Sequence, residues 1–378
     1  MKNIERYFLD VISGREKGLK AGSLRKLLFA LSKVYGLAVR LRIYLYKWGI
    51  LRRKTLGCII ISVGNITVGG TGKTPHVEML ARALTEGKRK VAVLSRGYKR
   101  KKRYSLKNIF SKEWWTSVPL VVSDGREILM SSKEAGDEPY MLANMLPGVI
   151  VLVGKNRVKS GSYAIEKLGV DTLILDDGYQ YLPLNRRLNV MLIDATNPFG
   201  NGHLLPRGIL RESLKHLSRA DMFVITKSED TDTEKIKALL KEKNSPAGII
   251  ESYYDPLRLV EIRSGEKKEL GFLAGKRALV MTAIADPEGF EKLVRKLGAD
   301  IADVRRFEDH HRYSWREVDG IIKETHKKAD LIITTEKDSV RFPILENPLM
   351  PVYYLKVEVK IKSGERDLND NIARLCNI

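Results

Sequence analysis

Short runs of β-branched and aliphatic residues recur through the middle of the chain, and between them apolar residues return every three or four positions. The run at 58–63, with Cys58, Ile59, Ile60, Ile61 and Val63, predicts a buried strand, and 90–95, 149–153, 172–175, 190–193 and 222–226 predict five more. Helical spacing falls between most of them, at 75–84, 139–145 and 160–168. Strand and helix in alternation predict an α/β fold, a parallel sheet covered on both faces, with active-site residues on loops at the carboxyl ends of the strands. After a charged helix and loop at 229–245, residues 249–262 read as strand and connect to strands at 277–283 and 331–335 of a second, smaller α/β unit. The local likeness of 220–227 and 329–335 is two similar strand-to-loop solutions rather than a repeat. The expected division is 1–54 as an N-terminal helical segment, 55–245 as the core, 246–262 as linker strands, 263–358 as the smaller domain and 359–378 as a tail.

The N-terminal pattern differs. On a helical wheel Lys26, Lys33, Arg40 and Lys47 share one side with Arg25, while Leu24, Leu27, Leu28, Leu31, Val34, Tyr35, Ala38, Leu41 and Leu45 occupy the other. This predicts a basic amphipathic helix, or two broken near Gly36, with Tyr44, Tyr46 and Trp48 at the end where interfacial aromatics are favoured. Charge interrupts it too often for a bilayer span, and it lacks the apolar core and cleavage site of a signal peptide. It is expected to lie on a membrane surface; the alternative is packing on the protein's own core.

Charge sharpens this picture. The 378 residues carry a net +21, which calls for an anionic partner. Residues 1–54 hold fourteen Lys and Arg against three Asp and Glu, so about half of the excess lies in a seventh of the chain. The concentration on one helix, without a recognisable reading module, argues against nucleic acid. A second basic cluster at 99–103 suits phosphate or a solvated loop. Cys58 and Cys376 supply neither a disulfide framework nor zinc spacing, which fits a reducing cytoplasm.

The candidate chemistry starts where the first strand ends. Thr67, Val68, Gly69, Gly70, Thr71, Gly72, Lys73 and Thr74 form a glycine-rich turn ending in Gly-Lys-Thr, a P-loop variant with Thr67 at the place of the first glycine. Its backbone N–H groups suit phosphate, Lys73 the β- and γ-phosphates of ATP, and the Thr74 hydroxyl Mg²⁺. The strand at 172–175 ends in Asp176 and Asp177, placed to hold Mg²⁺ through oxygen. Asp137 precedes a helix and suits either chemistry or an N-cap. Asp309, His310 and His311 form a run in which an aspartate can orient a histidine for proton transfer. With Asp137 in the first unit and His310 in the second, the site is expected between them, closing about the 249–262 link. A GTPase or ATPase switch or a metallochaperone would use the same P-loop, and Thr226-Lys227-Ser228-Glu229 faintly resembles a guanine-reading loop.

Seven motifs occur in an order that resembles the tetraacyldisaccharide 4′-kinases of lipid A synthesis. They are the 63–75 turn, Ser95-Arg96-Gly97-Tyr98, Gly136-Asp137-Glu138-Pro139, Asp176-Asp177-Gly178-Tyr179-Gln180, Leu205-Pro206-Arg207-Gly208 with Leu210-Arg211-Glu212, Asp309-His310-His311, and Thr334-Thr335-Glu336-Lys337-Asp338. The resemblance spans about residues 24–358 and implies a kinase of Gram-negative bacteria acting as a monomer on the cytoplasmic side of the inner membrane. Its substrates would be ATP and a tetraacyldisaccharide 1-phosphate, phosphorylated on the 4′-hydroxyl. It implies Asp137 as the group taking the hydroxyl proton, His310 paired with it and oriented by Asp309, and Asp176, Asp177 and Thr74 around Mg²⁺. Arg211 is implied as a partner of the γ-phosphate charge, with Glu212 near the site. Where the family commonly reads Asp-Asp-Gly-Phe-Gln-His, this chain has Tyr179 and Tyr181.

Overall fold

Among the described residues, the β-branched runs pair into one thirteen-stranded sheet that extends through both halves of the chain. The computed structural model describes residues 7–8, 10–12, 14–97, 118–343, 345–346 and 348–376; Tyr98, the basic cluster 99–103, Asn377 and Ile378 lie outside the described residues. The strands are β1 (Ile59–Asn65), β2 (Val91–Ser95), β3 (Leu120–Asp124), β4 (Ile150–Val153), β5 (Thr172–Asp176), β6 (Leu188–Asp194), β7 (Met222–Thr226), β8 (Gly248–Glu261), β9 (Lys267–Lys268), β10 (Arg277–Thr282), β11 (Asp300–Arg306), β12 (Leu331–Thr335) and β13 (Val352–Ser363). The helices are α1 (Leu19–Lys47), α2 (Lys73–Glu86), α3 (Ser132–Ala135), α4 (Asp137–Met145), α5 (Arg157–Leu168), α6 (Glu234–Lys243), α7 (Pro287–Lys296), α8 (Trp315–Thr325), α9 (Glu336–Ser339) and α10 (Glu365–Cys376).

The sheet order is β11-β10-β12-β13-β8-β7-β6-β1-β5-β2-β4-β3, with β9 paired to β8. Neighbours run parallel from β8 to β4, and β3 adds an antiparallel edge that hydrophobic spacing alone did not reveal. Alternation along each strand splits the core between the two faces. Ile59, Ile61 and Val63 pack with Val77, Leu80 and Leu84 of α2 and Leu142 of α4. Ile60 faces the other way, with Leu94, Leu173 and Ala164 of α5.

One strand joins the halves. The start of β8 pairs parallel with β7, Met222 opposite Gly248, and β8 then runs antiparallel to β13 from Glu251 opposite Ser363 to Glu261 opposite Tyr353. At about 3.3 Å per residue, its fourteen residues reach roughly 45 Å. The segment expected as a tail is built into the fold. Its first residues finish β13, and Leu368, Ile372 and Leu375, spaced for a helix face, seat α10 on the core shared with α2.

The N-terminal pattern forms one helix, unbroken at Gly36. Its body-facing residues are Ala21, Leu28, Ser32 and Gly36; a Cβ on Gly36 would stand 2.7 Å from Leu204 Cδ1, so glycine lets the helix approach without displacing that side chain. Leu27, Leu31, Val34, Leu37 and Leu41 remain exposed, Val34 at 68%. The wheel therefore located the apolar side, but only its edge, at Leu28 and Tyr35, meets the protein. Among the described residues, no helix is long and apolar enough to cross a membrane.

Candidate active site

The turn between β1 and α2 borders a cavity of about 1780 Å³ lined by residues of both halves of the chain. Gly69 (φ 116°) and Gly72 (φ 73°) hold backbone conformations that disfavour L side chains. A Cβ on Gly69 or Gly70 would meet nothing within 4 Å, so the turn is open on the side that would receive phosphate, with the N-terminus of α2 behind it. Gly72 is closed on its other side, where a Cβ would collide with the Tyr254 hydroxyl of β8. Val68 to Thr74 line the cavity. Thr67 is buried, and its hydroxyl accepts from Asn65 Nδ2 at 3.4 Å, so it shapes the turn rather than facing a ligand. Lys73 Nζ donates to Asn65 Oδ1 at 3.3 Å and stands 3.8 Å from Asp177 Oδ1.

Asp176 and Asp177 follow β5 beside this turn and have different environments. Asp176 accepts from Ser95 Oγ at 3.1 Å. Burial, then the charges of Glu138 and Asp177, push its carboxyl up to about 6 against the pull of Lys73 and Arg157. Burial also acts on Asp177, but Lys73 and Arg211 outweigh it and hold that carboxyl below the ordinary value. Asp177 (φ 51°) and His310 (φ 69°) both have left-handed backbones, a strain concentrated at functional sites. Hard oxygen donors, with a buried carboxylate that lacks enough positive charge nearby, fit a divalent cation. Among the described residues no three His, Cys, Asp or Glu side chains are grouped to hold a metal, so a cation here would draw on Thr74, Asp176, Asp177 and further oxygens.

The second half of the chain delivers its charges to Asp137, at the start of α4. Arg312 Nη2 donates to Asp137 Oδ1, and Arg341 Nε donates to Oδ2 at 2.9 Å. His310 Nδ1 lies 3.6 Å from Oδ2. Burial pushes this carboxyl up, but the His310 imidazole and the two guanidinia more than reverse it, leaving it below the ordinary value. Asp137 itself is buried outside the cavity lining, which includes its neighbour Glu138 and His310. Asp309 Oδ2 is 3.8 Å from His310 Nε2, beyond hydrogen-bond reach, and Oδ1 pairs with Lys337 at 3.3 Å. The orientation expected from Asp309 comes instead from Arg341, whose Nη2 donates to His310 Nδ1 at 3.1 Å.

The remaining expected residues are also placed by their contacts. Arg211 lines the cavity and binds both oxygens of Asp177. Glu212 lines it too, but its carboxylate is turned to Arg219 and His216. The Tyr181 hydroxyl accepts from Val158 N at 3.3 Å, and its ring stacks 5.2 Å from the Arg157 guanidinium. Tyr179 is buried and donates to His216 O. Sequence reasoning passed over Arg157, Arg312, Arg341 and Tyr35, whose hydroxyl donates to Arg211 O at 2.9 Å. Arg341 had one available signal, its place three residues after Asp338 near the Thr-Thr-Glu-Lys-Asp motif.

Residues 24–377 match the family model described as tetraacyldisaccharide-1-P 4′-kinase. The chain belongs to the tetraacyldisaccharide-1-phosphate 4′-kinase family. It is similar to the tetraacyldisaccharide 4′-kinase of Syntrophus aciditrophicus (strain SB), 39% identical over 347 residues that cover 89% of each chain. It is also similar to that of Geobacter sulfurreducens, 39% identical over 354 residues and 94% of each. The crystal structure of LpxK from Aquifex aeolicus in complex with ATP superposes with a TM-score of 0.73 at 32% identity, covering 93% of this chain and 99% of that one. A P-loop, a carboxylate pair and the Asp137–His310 approach thus meet in a chain of this kinase family.

Proposed function

We propose that this family member moves the γ-phosphate of ATP to the 4′-hydroxyl of a tetraacylated glucosamine disaccharide 1-phosphate at a membrane surface. The observation that supports this most is the cavity itself, which Lys73, Asp176, Asp177 and Arg211 share with His310 from the other half of the chain. Bound there, ATP supplies the transferable group, and Mg²⁺ on Thr74, Asp176 and Asp177 supplies charge neutralisation on its phosphates. The turn at Gly69–Gly72 and Lys73 fix the phosphates, Arg211 offers charge beside Asp177, and positioning of this kind provides most of the acceleration. Asp137 takes the hydroxyl proton. The acceptor uses a lone pair that Arg312 and Arg341 leave on that carboxylate or displaces one of them. Proton loss late in a loose transition state suits a carboxylate held below its ordinary pKa.

Helix α1 supports the membrane location. Tyr35, Val39, Arg42 and Ile43 form part of the cavity wall, while Leu27, Leu31, Val34 and Leu41 of the same helix face outward. An acceptor anchored by acyl chains keeps its sugars at the interface, so a helix that rests on lipid and borders the cavity brings the two together. The cytoplasmic face of the inner membrane is the surface this implies, and the basic residues of α1 suit its anionic lipids. The test is transfer of label from γ-labelled ATP to tetraacyldisaccharide 1-phosphate in mixed micelles, with Asp137→Ala beside the wild type. Label on the 4′-position with the wild type alone supports the reading. A folded, nucleotide-binding wild type that transfers none overturns it in favour of a nucleotide switch.

A further inference from the structure

Arg341 is three residues beyond Asp338, and its side chain is buried between two carboxylates. Nη1 donates to Asp338 Oδ1 at 3.1 Å and Nε to Asp137 Oδ2 at 2.9 Å, while Nη2 donates to His310 Nδ1 at 3.1 Å. Asp338 is itself fixed: its Oδ2 accepts from Ala283 N at 3.1 Å and from Thr335 Oγ1 at 2.8 Å. One planar guanidinium thus connects a rigid anchor on the second half of the chain to the catalytic carboxylate on the first and to the imidazole between them.

A guanidinium has only donors and does not lose its proton. The nitrogen that receives Nη2–H must therefore be the unprotonated one, so a neutral His310 carries its proton on Nε2. Nδ1 faces the buried Arg341 and Asp137; Nε2 lies toward Asp309, which is half-exposed and lines the cavity with His310. Nδ1 is also 3.6 Å from Asp137 Oδ2, a longer approach than its 3.1 Å contact with Arg341.

We propose that Arg341 is a positioning residue that fixes His310 in its Nε2–H tautomer and holds Asp137 in register with it, so that the imidazole presents a donor to the cavity rather than a base. The proposal rests on the reading of Asp137 as the proton acceptor. A His310 with Nδ1 occupied cannot relay a proton from Asp137 through that nitrogen; it can hydrogen-bond to oxygen charge developing in the cavity through Nε2–H. Because Arg341 and His310 come from one half of the chain and Asp137 from the other, the arrangement exists only when the halves are docked.

The experiment is ¹⁵N NMR of the full-length protein labelled in its six histidines, with His310→Ala used to assign the His310 signal. The expected wild-type spectrum shows neutral His310 with Nδ1 unprotonated and Nε2 protonated; the reverse tautomer overturns the proposal without any variant. Arg341→Lys keeps the charge but has no planar fork to reach both carboxylates and the ring. In the folded variant the His310 signal should shift toward the other tautomer. Its kcat should fall about 10²-fold or more, the scale of losses when a histidine is held in the wrong tautomer, with KM for ATP and lipid within about 3-fold of wild type. Arg312→Lys, which touches Asp137 but not His310, should leave the His310 signal in place. A folded Arg341→Lys with an unchanged His310 signal and kcat also overturns the proposal. Absence of phosphate transfer by the wild type, with the expected tautomer present, would count against the kinase reading alone.

Discussion

Arg211 Nη1 lies 2.8 Å and 2.9 Å from the two carboxylate oxygens of Asp177. Lys73 stands 3.8 Å from the same group, so two cations share the carboxylate that Mg²⁺ would also use. Removing either should leave the fold intact, at some cost in stability because each supports the charge of Asp177, and should disturb phosphate placement. Lys73→Ala and Arg211→Ala are each expected to lower kcat/KM by about 10²-fold, the scale of a lost transition-state charge contact. Steady-state rates with ATP varied would show this, and normal values in either variant would remove that residue from the site.

Asp137→Ala should lower kcat by about 10²-fold to 10⁴-fold, the range for proton-transfer groups, and His310→Ala by about 10²-fold to 10³-fold, the scale of a lost donor to developing oxygen charge. Asp137→Ala also leaves Arg312 and Arg341 without their carboxylate, so unfolding curves must accompany the rates. A folded variant with near-normal kcat would exclude its residue from the chemistry.

Asp176 predicts a pH dependence of stability. Its folded-state pKa, about 6, exceeds the ordinary 3.8, so the folded protein holds this proton more tightly than the unfolded chain. The contribution is most favourable at low pH, declines as pH rises from about 4 to about 6, and is level above that. Its full size is on the order of 3 kcal/mol. Asp176→Asn should therefore gain stability over wild type as pH rises through this window in metal-free buffer, while losing phosphate transfer. Denaturant titrations across the window that show a constant difference would contradict the assignment.

His76 has the opposite linkage. It is buried on α2, with Nδ1 2.8 Å from Gly72 O and Nε2 2.9 Å from Ser252 Oγ of β8, and burial lowers its pKa from 6.5 to about 4 despite the bond to Gly72. Its contribution is complete above 6.5 and lost as pH falls through 6.5 toward 4, because the unfolded chain binds the proton first. His76→Gln, which keeps polar atoms but does not titrate, should flatten the acid side of the stability profile. An equally steep acid limb in that variant would place the dependence elsewhere.

The outward residues of α1 give a prediction about lipid. Replacing Leu27, Leu31, Val34 and Leu41 together by Ser should weaken sedimentation with anionic vesicles by at least about 10-fold, because even partial burial of four such side chains in the interface exceeds 1.4 kcal/mol. Nucleotide affinity should be unchanged. Equal vesicle binding by the two proteins would rule out this face.

How far the sequence could be read depended on the range of the interactions. The turn at Thr67–Thr74, Asp176 with Asp177, and most strands are local patterns, and the structure has them within two residues of where spacing put them. The antiparallel edge β3 was missed because it follows a stretch without regular spacing. The partners of Asp137 were missed for another reason: Arg312 and Arg341 are 175 and 204 residues away along the chain, and their places just after the Asp-His-His and Thr-Thr-Glu-Lys-Asp motifs do not say which distant residue they reach. On α1, a helical wheel sorts residues by polarity and cannot tell which apolar ones meet the protein; Gly36 and Ala21, small enough for close approach, decided that.

The pairing of β8 with β13 sets an order on synthesis. While the ribosome is still making residues before Val352, the edge of β8 that β13 will cover has no partner, and the core beneath α2 lacks Leu368 and Leu375. The segment that closes the first half of the molecule is thus translated only after β9 to β12 of the second. Until it emerges, the nascent chain displays an unpaired strand and an open apolar groove, the features that chaperones shield in growing polypeptides.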